Sequence, residues 1–195
     1  MFDEKKVAFL PLKEQEKEEG HQIDGLFGYS LIKNYVIEVD YPKRIITFYN
    51  SEEYKKPKNA KIIRLLNINE NKVPVIQGEI LTASKKKLNF ILTIDTGYDG
   101  NFLLSRKFVE ENNLQADVIS AEAVSPGAGL GGKTSLRKGK VQSLRLGNIK
   151  HKNPDTVFAF DEEGQFAGKY GYIGGKFLKK YKLVLNYKEN YLLLL

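Results

Sequence analysis

The sequence predicts an all-β protein with a few short helices. Phe and Tyr, with 11 residues each, accompany many Val, Ile and Leu residues, and aromatic and β-branched residues favour strands. Apolar and polar residues also alternate over short runs bounded by turn residues, which is the period of a strand with one buried face. At 195 residues the chain suits one domain of ordinary size, or one domain and part of another.

The composition limits the classes of function. The chain has no cysteine, which excludes disulfides, thiolate chemistry and Cys-ligated zinc. Its two histidines, His21 and His151, lie near no residues in the sequence that would complete a metal site, so we predict neither a metal nor a cofactor. The net charge of +7 invites a nucleic-acid interpretation, but the 31 Lys and Arg residues are scattered among 24 Asp and Glu residues. We therefore predict no nucleic-acid partner.

The distribution of apolar residues bears on localisation. No apolar run approaches the roughly 18 residues that a membrane helix needs, so we expect a soluble protein without a membrane span. No signal peptide follows Met1, although such a segment can be trimmed away. The compartment therefore stays open, and a secreted or periplasmic location is compatible with the sequence.

Two stretches of the sequence match each other. Block 1, residues 24–49, aligns without a gap with block 2, residues 170–195, at an offset of 146 positions, the difference between Gly25 and Gly171. A period this long indicates a duplicated domain, because solenoid repeats run at roughly 20 to 50 residues. We therefore predict that residues 1–50 are the C-terminal part of a first repeat and that residues 61–195 are a complete second copy. Residues 51–60, rich in Glu, Lys and Pro, read as a linker.

The local patterns predict the elements of each repeat in order. In block 1, a strand over residues 36–41, a turn at residues 42–44 and a strand over residues 45–49 form a hairpin, which block 2 repeats. Ser105 is predicted to cap a short helix that extends to about Asn113. The other predicted strands of the second copy cover residues 61–66, 73–83, 88–94, 136–146 and 156–160.

One predicted strand ends in a carboxylate. The run from Leu88 to Ile94 alternates between two faces and leads directly into Asp95-Thr96-Gly97. Burial and fixed neighbours at the rim of a core can shift a carboxyl pKa and make the group useful for catalysis. The Thr96 hydroxyl can donate a hydrogen bond, and Gly97 lets the backbone turn sharply. As a bare tripeptide, however, Asp-Thr-Gly is also an ordinary turn.

A second motif points to a different function. Residues 127–134 fit the phosphate-loop pattern G-x-x-x-x-G-K-[ST], and Asp161 comes after an apolar run like the acid that holds magnesium in such NTPases. A phosphate loop, however, lies between a buried strand and a helix whose N-terminal amides hold the phosphates. Ser125-Pro126 precedes the glycines, and Gly139 interrupts the segment after them. NTP binding is therefore the less favoured interpretation.

The motifs of the second copy resemble a known family when they are taken together. An apolar strand ending in Asp95-Thr96-Gly97, a glycine-rich hairpin about thirty residues later, and Tyr172-Ile173-Gly174 ahead of a short helix resemble the bacterial retropepsin-like aspartyl proteases. The resemblance covers about residues 61–195, with a partial match over residues 7–49.

The resemblance implies a fold and a site. It implies a closed β-barrel of the retropepsin-like acid protease type that hydrolyses a polypeptide substrate. Asp95 would be the catalytic carboxylate, Thr96 would brace it, and Gly97 would complete the motif. Gly129-Leu130-Gly131-Gly132 would act as a flap over the substrate, with Ile173 and Gly174 near the site.

The sequence departs from the family in two respects. Many relatives carry a small residue after the motif, whereas this chain has Tyr98-Asp99. The family also uses two carboxylates that share one proton, and this chain has one Asp-Thr-Gly. Activity would then require either a homodimer or a longer chain whose first repeat supplies the second Asp. The competing class is a catalytically inactive module of the same fold that binds extended peptide beneath the flap.

Overall fold

The computed structural model describes residues 12–13, 16–17, 20, 22–58, 60–66, 72–119, 128–129, 132–133, 135–160 and 169–195. Strands dominate this part of the chain, and its helices are short, so the all-β prediction is confirmed. The strands are β1 (Tyr35–Asp40), β2 (Ile45–Asn50), β3 (Lys61–Leu66), β4 (Val75–Thr82), β5 (Lys87–Asp95), β6 (Phe102–Leu104), β7 (Ala128–Gly129), β8 (Gly132–Lys133), β9 (Leu136–Gly139), β10 (Val141–Leu146), β11 (Ile149–Lys152), β12 (Thr156–Ala159), β13 (Gly171–Gly174), β14 (Leu183–Asn186) and β15 (Tyr191–Leu194). The helices are α1 (Tyr29–Ile32), α2 (Arg106–Glu111) and α3 (Gly175–Leu178), with a 3₁₀ turn at Gln115–Asp117.

Most strands belong to one sheet, in the order β2-β1-β14-β15-β3-β4-β5-β13-β6-β12-β9. Strand β10 pairs with β4 and β11, while β7 and β8 form a separate ladder. The pairs β5–β13 and β6–β12 are parallel, and the other ladders are antiparallel. The described ladders leave this sheet open, so the predicted closed barrel is not confirmed.

The main hydrophobic core lies between the strands of residues 61–195. It contains buried side chains from distant parts of that range, including Leu65, Ile76, Leu92, Phe158 and Phe177. Fully burying an aliphatic or aromatic side chain of this size stabilises the fold by about 1.5–3 kcal/mol. The core therefore fixes the strand ends from which the loops of the candidate site emerge.

One predicted strand is wrong in its extent. The sequence pattern predicts a single strand over residues 136–146, but the chain forms β9 and β10, which are separated at Lys140. Strand β9 pairs with β12, whereas β10 pairs with β4 and β11. The Lys140 N–H donates to the Asp117 carbonyl oxygen at 2.8 Å. The chain changes its pairing partners at Lys140, and a local pattern carries no information about such a change.

The two matching blocks have the same local structure. Shifting α1 by 146 positions gives α3, and the same shift carries β1 and β2 onto β14 and β15. The residues that precede the two helices also match, because Gly28 has φ −96° and ψ 173° and Gly174 has φ −104° and ψ 174°. The domain boundaries predicted from the sequence stay predictions, but the blocks are alike in backbone as well as in sequence.

The two blocks pair with each other through β1 and β14. Ile37 lies opposite Leu185 and Val39 lies opposite Leu183, and the offset of 146 positions converts one pair into the other. The ladder is therefore symmetric about the pair Glu38–Val184, where a local two-fold axis passes. Cross-block contacts reinforce the ladder: the Lys182 ammonium lies 3.3 Å from carboxylate oxygens of both Glu38 and Asp40, and the Tyr29 ring packs edge-on against Tyr187.

No helix among the described residues is long and apolar enough to cross a membrane.

Candidate active site

Asp95 is the last residue of β5, at the rim of the main core. The three residues that precede it, Leu92, Thr93 and Ile94, are all buried. Strand β4 flanks β5 on one side and β13 flanks it on the other. In the parallel ladder with β13, Ile173 lies opposite Ile94 and Gly174 lies opposite Asp95. Two neighbouring strands therefore fix the position of this carboxylate.

The turn after β5 orients the carboxylate. Asp95 Oδ1 accepts a hydrogen bond from the N–H of Gly97 at 3.0 Å, and the Tyr98 N–H donates to the Asp95 carbonyl oxygen at 3.4 Å. Thr96 and Gly97 are exposed, whereas Asp95 is half-buried. The carboxylate is thus held by the backbone of its own turn at a surface that a substrate can reach.

The backbone of β13 and α3 clamps the segment after Asp95. We call residues 95–101 the Asp95 loop. The Gly174 N–H donates to the Asn101 carbonyl oxygen at 2.9 Å, and the Gly175 N–H donates to the Tyr98 carbonyl oxygen at 2.7 Å. A Cβ atom on Gly174 would collide with the carbonyl oxygens of Tyr98 and Gly100. Glycine is required at position 174 because the Asp95 loop approaches its backbone so closely.

Asn101 connects the Asp95 loop to two other parts of the chain. Its side chain is buried, and its Nδ2 atom donates to Asp155 Oδ2 at 3.1 Å. Its Oδ1 atom accepts from the Lys180 ammonium at 3.4 Å. This positioning residue was not predicted from the sequence, because a single Asn in a turn carries no pattern that identifies partners 54 and 79 positions away.

Tyr98 places a neutral phenol beside the site. Burial raises the pKa of Tyr98, and the nearby carboxylates of Asp155, Asp99 and Asp95 raise it further because they disfavour the phenolate. The phenol therefore keeps its proton at ordinary pH. Its ring occupies the space over Gly100, where a Cβ atom would meet it. The bulky side chain that the sequence places at position 98 therefore packs against the Asp95 loop itself.

The described residues of the glycine-rich segment form a short antiparallel ladder between β7 and β8. Ala128 pairs with Lys133 and Gly129 pairs with Gly132 in the ladder of β7 and β8. The predicted site residues Leu130 and Gly131 lie outside the described residues, as does Asp161. A phosphate loop would begin a helix at Lys133, but Lys133 ends a strand, and the next described element is strand β9. The backbone therefore does not support NTP binding.

The described side chains do not form a metal centre. No group of three or more His, Asp or Glu residues in this part of the chain is arranged to hold a metal ion. What the site offers chemically is one oriented carboxylate, a neighbouring neutral phenol and backbone donors in a rigid loop. A carboxylate of this kind can act as a general base when it is ionised and as a general acid when it is protonated.

Comparisons with known proteins show a distant similarity to solved structures alone. No family model and no curated protein matches the sequence. Among solved structures, the chain is similar to a retropepsin-like aspartic protease from Rickettsia conorii, with a TM-score of 0.43 and 14% identity, covering 70% of this chain and 89% of that chain. At this distance the likeness assigns neither a family nor an activity.

Proposed function

We propose that this chain is part of an aspartic-type peptidase that hydrolyses peptide bonds in polypeptide substrates, with Asp95 supplying one of two catalytic carboxylates. The observation that carries the proposal is the placement of Asp95. It ends a buried strand opposite Gly174, it is oriented by the Gly97 N–H, and its loop is clamped by backbone hydrogen bonds from Gly174 and Gly175. The proposal includes closure of residues 61–195 into a retropepsin-like barrel.

The chemistry needs two carboxylates that share a proton. Two carboxyl groups about 3 Å apart cannot both ionise. The ionised one takes a proton from water, and the oxygen of that water attacks the peptide carbonyl carbon. The protonated one donates its proton to the carbonyl oxygen. Asp95 fills one of these roles, while Thr96 and Gly97 hold the turn around it.

The glycine-rich hairpin supplies the substrate-binding side of the proposal. Residues 129–132 act as a flap that covers an extended polypeptide and hydrogen-bonds to its main chain. Glycine suits this role because its backbone can approach a substrate closely. The second carboxylate comes either from Asp95 of another copy in a homodimer or from a first repeat in a longer chain.

The pH dependence is set by the shared proton. A carboxyl pair titrates in two steps that belong to the pair, and the singly protonated form is the competent one. The rate of cleavage should therefore follow a bell in pH centred below neutrality, because both arms come from carboxyl groups.

The direct test compares the parent chain with Asp95→Asn and Asp99→Asn on a reduced, unfolded protein substrate between pH 3 and 8. Asn at position 95 keeps an oxygen for the Gly97 N–H but cannot act as a base, so cleavage should be lost while the fold survives. Asp99→Asn is the matched control, because Asp99 is an exposed acid in the same loop. Dimerisation is followed by light scattering. Cleavage that persists in Asp95→Asn would overturn the proposal.

The presence of a single Asp-Thr-Gly in the chain favours a second candidate, a peptide-binding module without catalysis. Such a module would bind extended peptides equally well before and after Asp95→Asn, because main-chain hydrogen bonds would supply most of the affinity. It would also remain inactive when a second carboxylate is supplied. Those two results together would replace the peptidase proposal.

A further inference from the structure

The two blocks differ at the first residue of their short helices. Gly175 begins α3, and a Cβ atom there would lie 2.9 Å from the Thr96 carbonyl oxygen. Tyr29 is the equivalent residue of α1. Its ring packs edge-on against the ring of Tyr187, with centroids 5.3 Å apart. The backbone position that admits the Asp95 loop in block 2 therefore carries a large aromatic side chain in block 1.

A pocket opens beside this pair of rings, where the two blocks meet, and we call it the tyrosine pocket. Its volume is about 330 Å³. It is lined, from the block 1 side and then from block 2, by Tyr29, Lys33, Asn34, Ser51, Tyr187 and Lys188. Each of these six side chains can donate a hydrogen bond, and none of the six is an acid. This lining favours an anionic ligand.

Tyr187 supplies the most deeply buried donor of the tyrosine pocket. It is 7% exposed, and no described residue hydrogen-bonds to its hydroxyl group. Burial raises the pKa of Tyr187, and the nearby Tyr29 raises it further, so the phenol keeps its proton at ordinary pH. Because polar groups buried to this degree are normally hydrogen-bonded, a ligand oxygen in the pocket would supply an acceptor for this proton.

Three lysines give the tyrosine pocket a positive charge. The ammonium groups of Lys33 and Lys72 lie 5.8 and 5.5 Å from the centre of the Tyr29 ring, and Lys188 lines the pocket. Among the described residues, the one carboxylate within 4.0 Å of any of these ammonium groups is that of Glu52, which lies 4.0 Å from Lys188 and is 91% exposed. An ion pair so long and so exposed is weak. The charge of the lysines is therefore largely available to a ligand.

A second pocket offers an internal comparison. Its volume is about 320 Å³, and its lining residues are Leu81, Gln142, Ser143, Lys150, Lys152 and Asn153. It also contains two lysines, but it has no aromatic ring, and none of its six side chains is buried. Two surface lysines beside a hollow are therefore not what distinguishes the tyrosine pocket. Its distinguishing features are the pair of rings and the buried phenol.

The size and the donors of the tyrosine pocket indicate a class of ligand. A volume of about 330 Å³ is at the lower end of the range of about 300–1,000 Å³ that small-molecule pockets cover. A phosphate monoester carries a charge of about −1.5 to −2 near neutral pH and three strong acceptor oxygens. Two lining ammonium groups and several neutral donors suit this group better than the single charge and two oxygens of a carboxylate.

We propose that the tyrosine pocket binds a small organic phosphate. The Lys33 and Lys188 ammonium groups and the Tyr187 hydroxyl donate to the phosphate oxygens, and the organic part of the molecule packs on the Tyr29 ring. Because both blocks contribute donors, the ligand links block 1 to residues 61–195. This binding does not depend on the proposed peptidase activity, since none of the lining residues belongs to the Asp95 loop.

The test titrates the full chain with phenyl phosphate at constant ionic strength and near neutral pH, and follows the backbone amides by two-dimensional NMR. The Asn34, Ser51 and Lys188 amide signals should shift together with one dissociation constant. Lys33→Met and Tyr187→Phe should each weaken binding about tenfold, because each removes one hydrogen bond to a charged group. Lys33→Met keeps an unbranched side chain, and Tyr187→Phe keeps the ring.

Two further variants and two further ligands sharpen the test. Lys150→Met in the second pocket is the matched control and should bind phenyl phosphate like the parent. Glu52→Gln should bind it about twofold more tightly, because the variant removes a competing carboxylate. Inorganic phosphate should bind more weakly, since it has no ring to pack on Tyr29, and benzoate should bind more weakly because its charge is lower.

Several results would overturn the inference. They are the lack of a saturable shift at the highest soluble concentration of phenyl phosphate, equal binding by Lys33→Met and the parent, and a loss on Lys150→Met as large as the loss on Lys33→Met. Tighter binding of benzoate than of phenyl phosphate would assign the pocket to a carboxylate instead. If Tyr187→Phe does not fold, Lys33→Met decides. Asp95→Asn should bind phenyl phosphate like the parent, so the inference and the proposed function fail separately.

Discussion

A paired glycine substitution tests how the site is built. Gly174 and Gly28 precede equivalent helices with nearly equal backbone angles, but their surroundings differ. A Cβ atom on Gly174 would meet carbonyl oxygens of the Asp95 loop, whereas one on Gly28 would meet no described atom within 4 Å. We therefore expect Gly174→Ala to destabilise the chain strongly and Gly28→Ala to change its stability little.

The magnitude is set by the contacts at Gly174. Making room for a methyl group in a packed site costs about 1–3 kcal/mol. Moving the loop away also weakens the hydrogen bonds from the Gly174 and Gly175 N–H groups, each worth about 0.5–1.5 kcal/mol. The N-cap preference for Gly over Ala and the lower entropy of an unfolded chain with Ala act at both positions, so they cancel in the comparison. The free energies of unfolding of the two variants should differ by about 2–4 kcal/mol.

Urea unfolding followed by tyrosine fluorescence measures this difference. With a urea dependence of about 2 kcal/mol/M, the middle of the usual range, Gly174→Ala should unfold at a urea concentration roughly 1–2 M below that of Gly28→Ala. A difference in the free energy of unfolding under about 0.5 kcal/mol would refute the inference that the Asp95 loop packs too closely on position 174 to admit a methyl group.

Three further predictions concern individual side chains. Ser105→Ala should cost only about 0.5 kcal/mol by urea unfolding, because the Ser105 Oγ accepts from the Phe108 N–H at a long 3.4 Å. Burial, and then the charges of Lys180 and Lys61, lower the pKa of His151 from its usual 6.5, so the folded state binds fewer protons than the unfolded state at and below that pH. Stability should be full above pH 6.5 and fall as the pH drops, and His151→Phe should reduce this slope in pH-dependent thermal unfolding. Asp95→Asn should leave the urea midpoint within error of the parent, because an amide oxygen can still accept from Gly97.

The sequence predicted those features that local patterns determine. Strand β3 has the predicted bounds, and β4 and β5 agree with their predicted ranges to within two residues, because alternation and turn residues mark them. Ser105 caps α2 as predicted. The offset between the blocks also indicated equivalent backbones, because equal residues at equal spacing impose equal local preferences.

Other features depend on contacts between distant residues, which one sequence does not show. The break at Lys140 results from a change of strand partner, and the hydrogen bonds of Asn101 join loops far apart in the chain. The exposure of Ile46 and Phe27 likewise depends on what packs against them. Residues of these types are usually buried, and the positions in block 2 that match them are buried.

Cleavage by a tandem protein, in which residues 61–167 are joined to the front of residues 22–195, tests the central claim most directly. That claim is that Asp95 is one of two carboxylates that act as a pair. We predict that the tandem protein cleaves a reduced, unfolded protein with a bell-shaped pH dependence centred below neutrality. Replacing Asp95 by Asn in either copy should abolish cleavage, while Asp99→Asn in either copy should not. A folded tandem protein that fails to cleave at any pH between 3 and 8, or one that still cleaves with both Asp95 residues replaced, would contradict this claim.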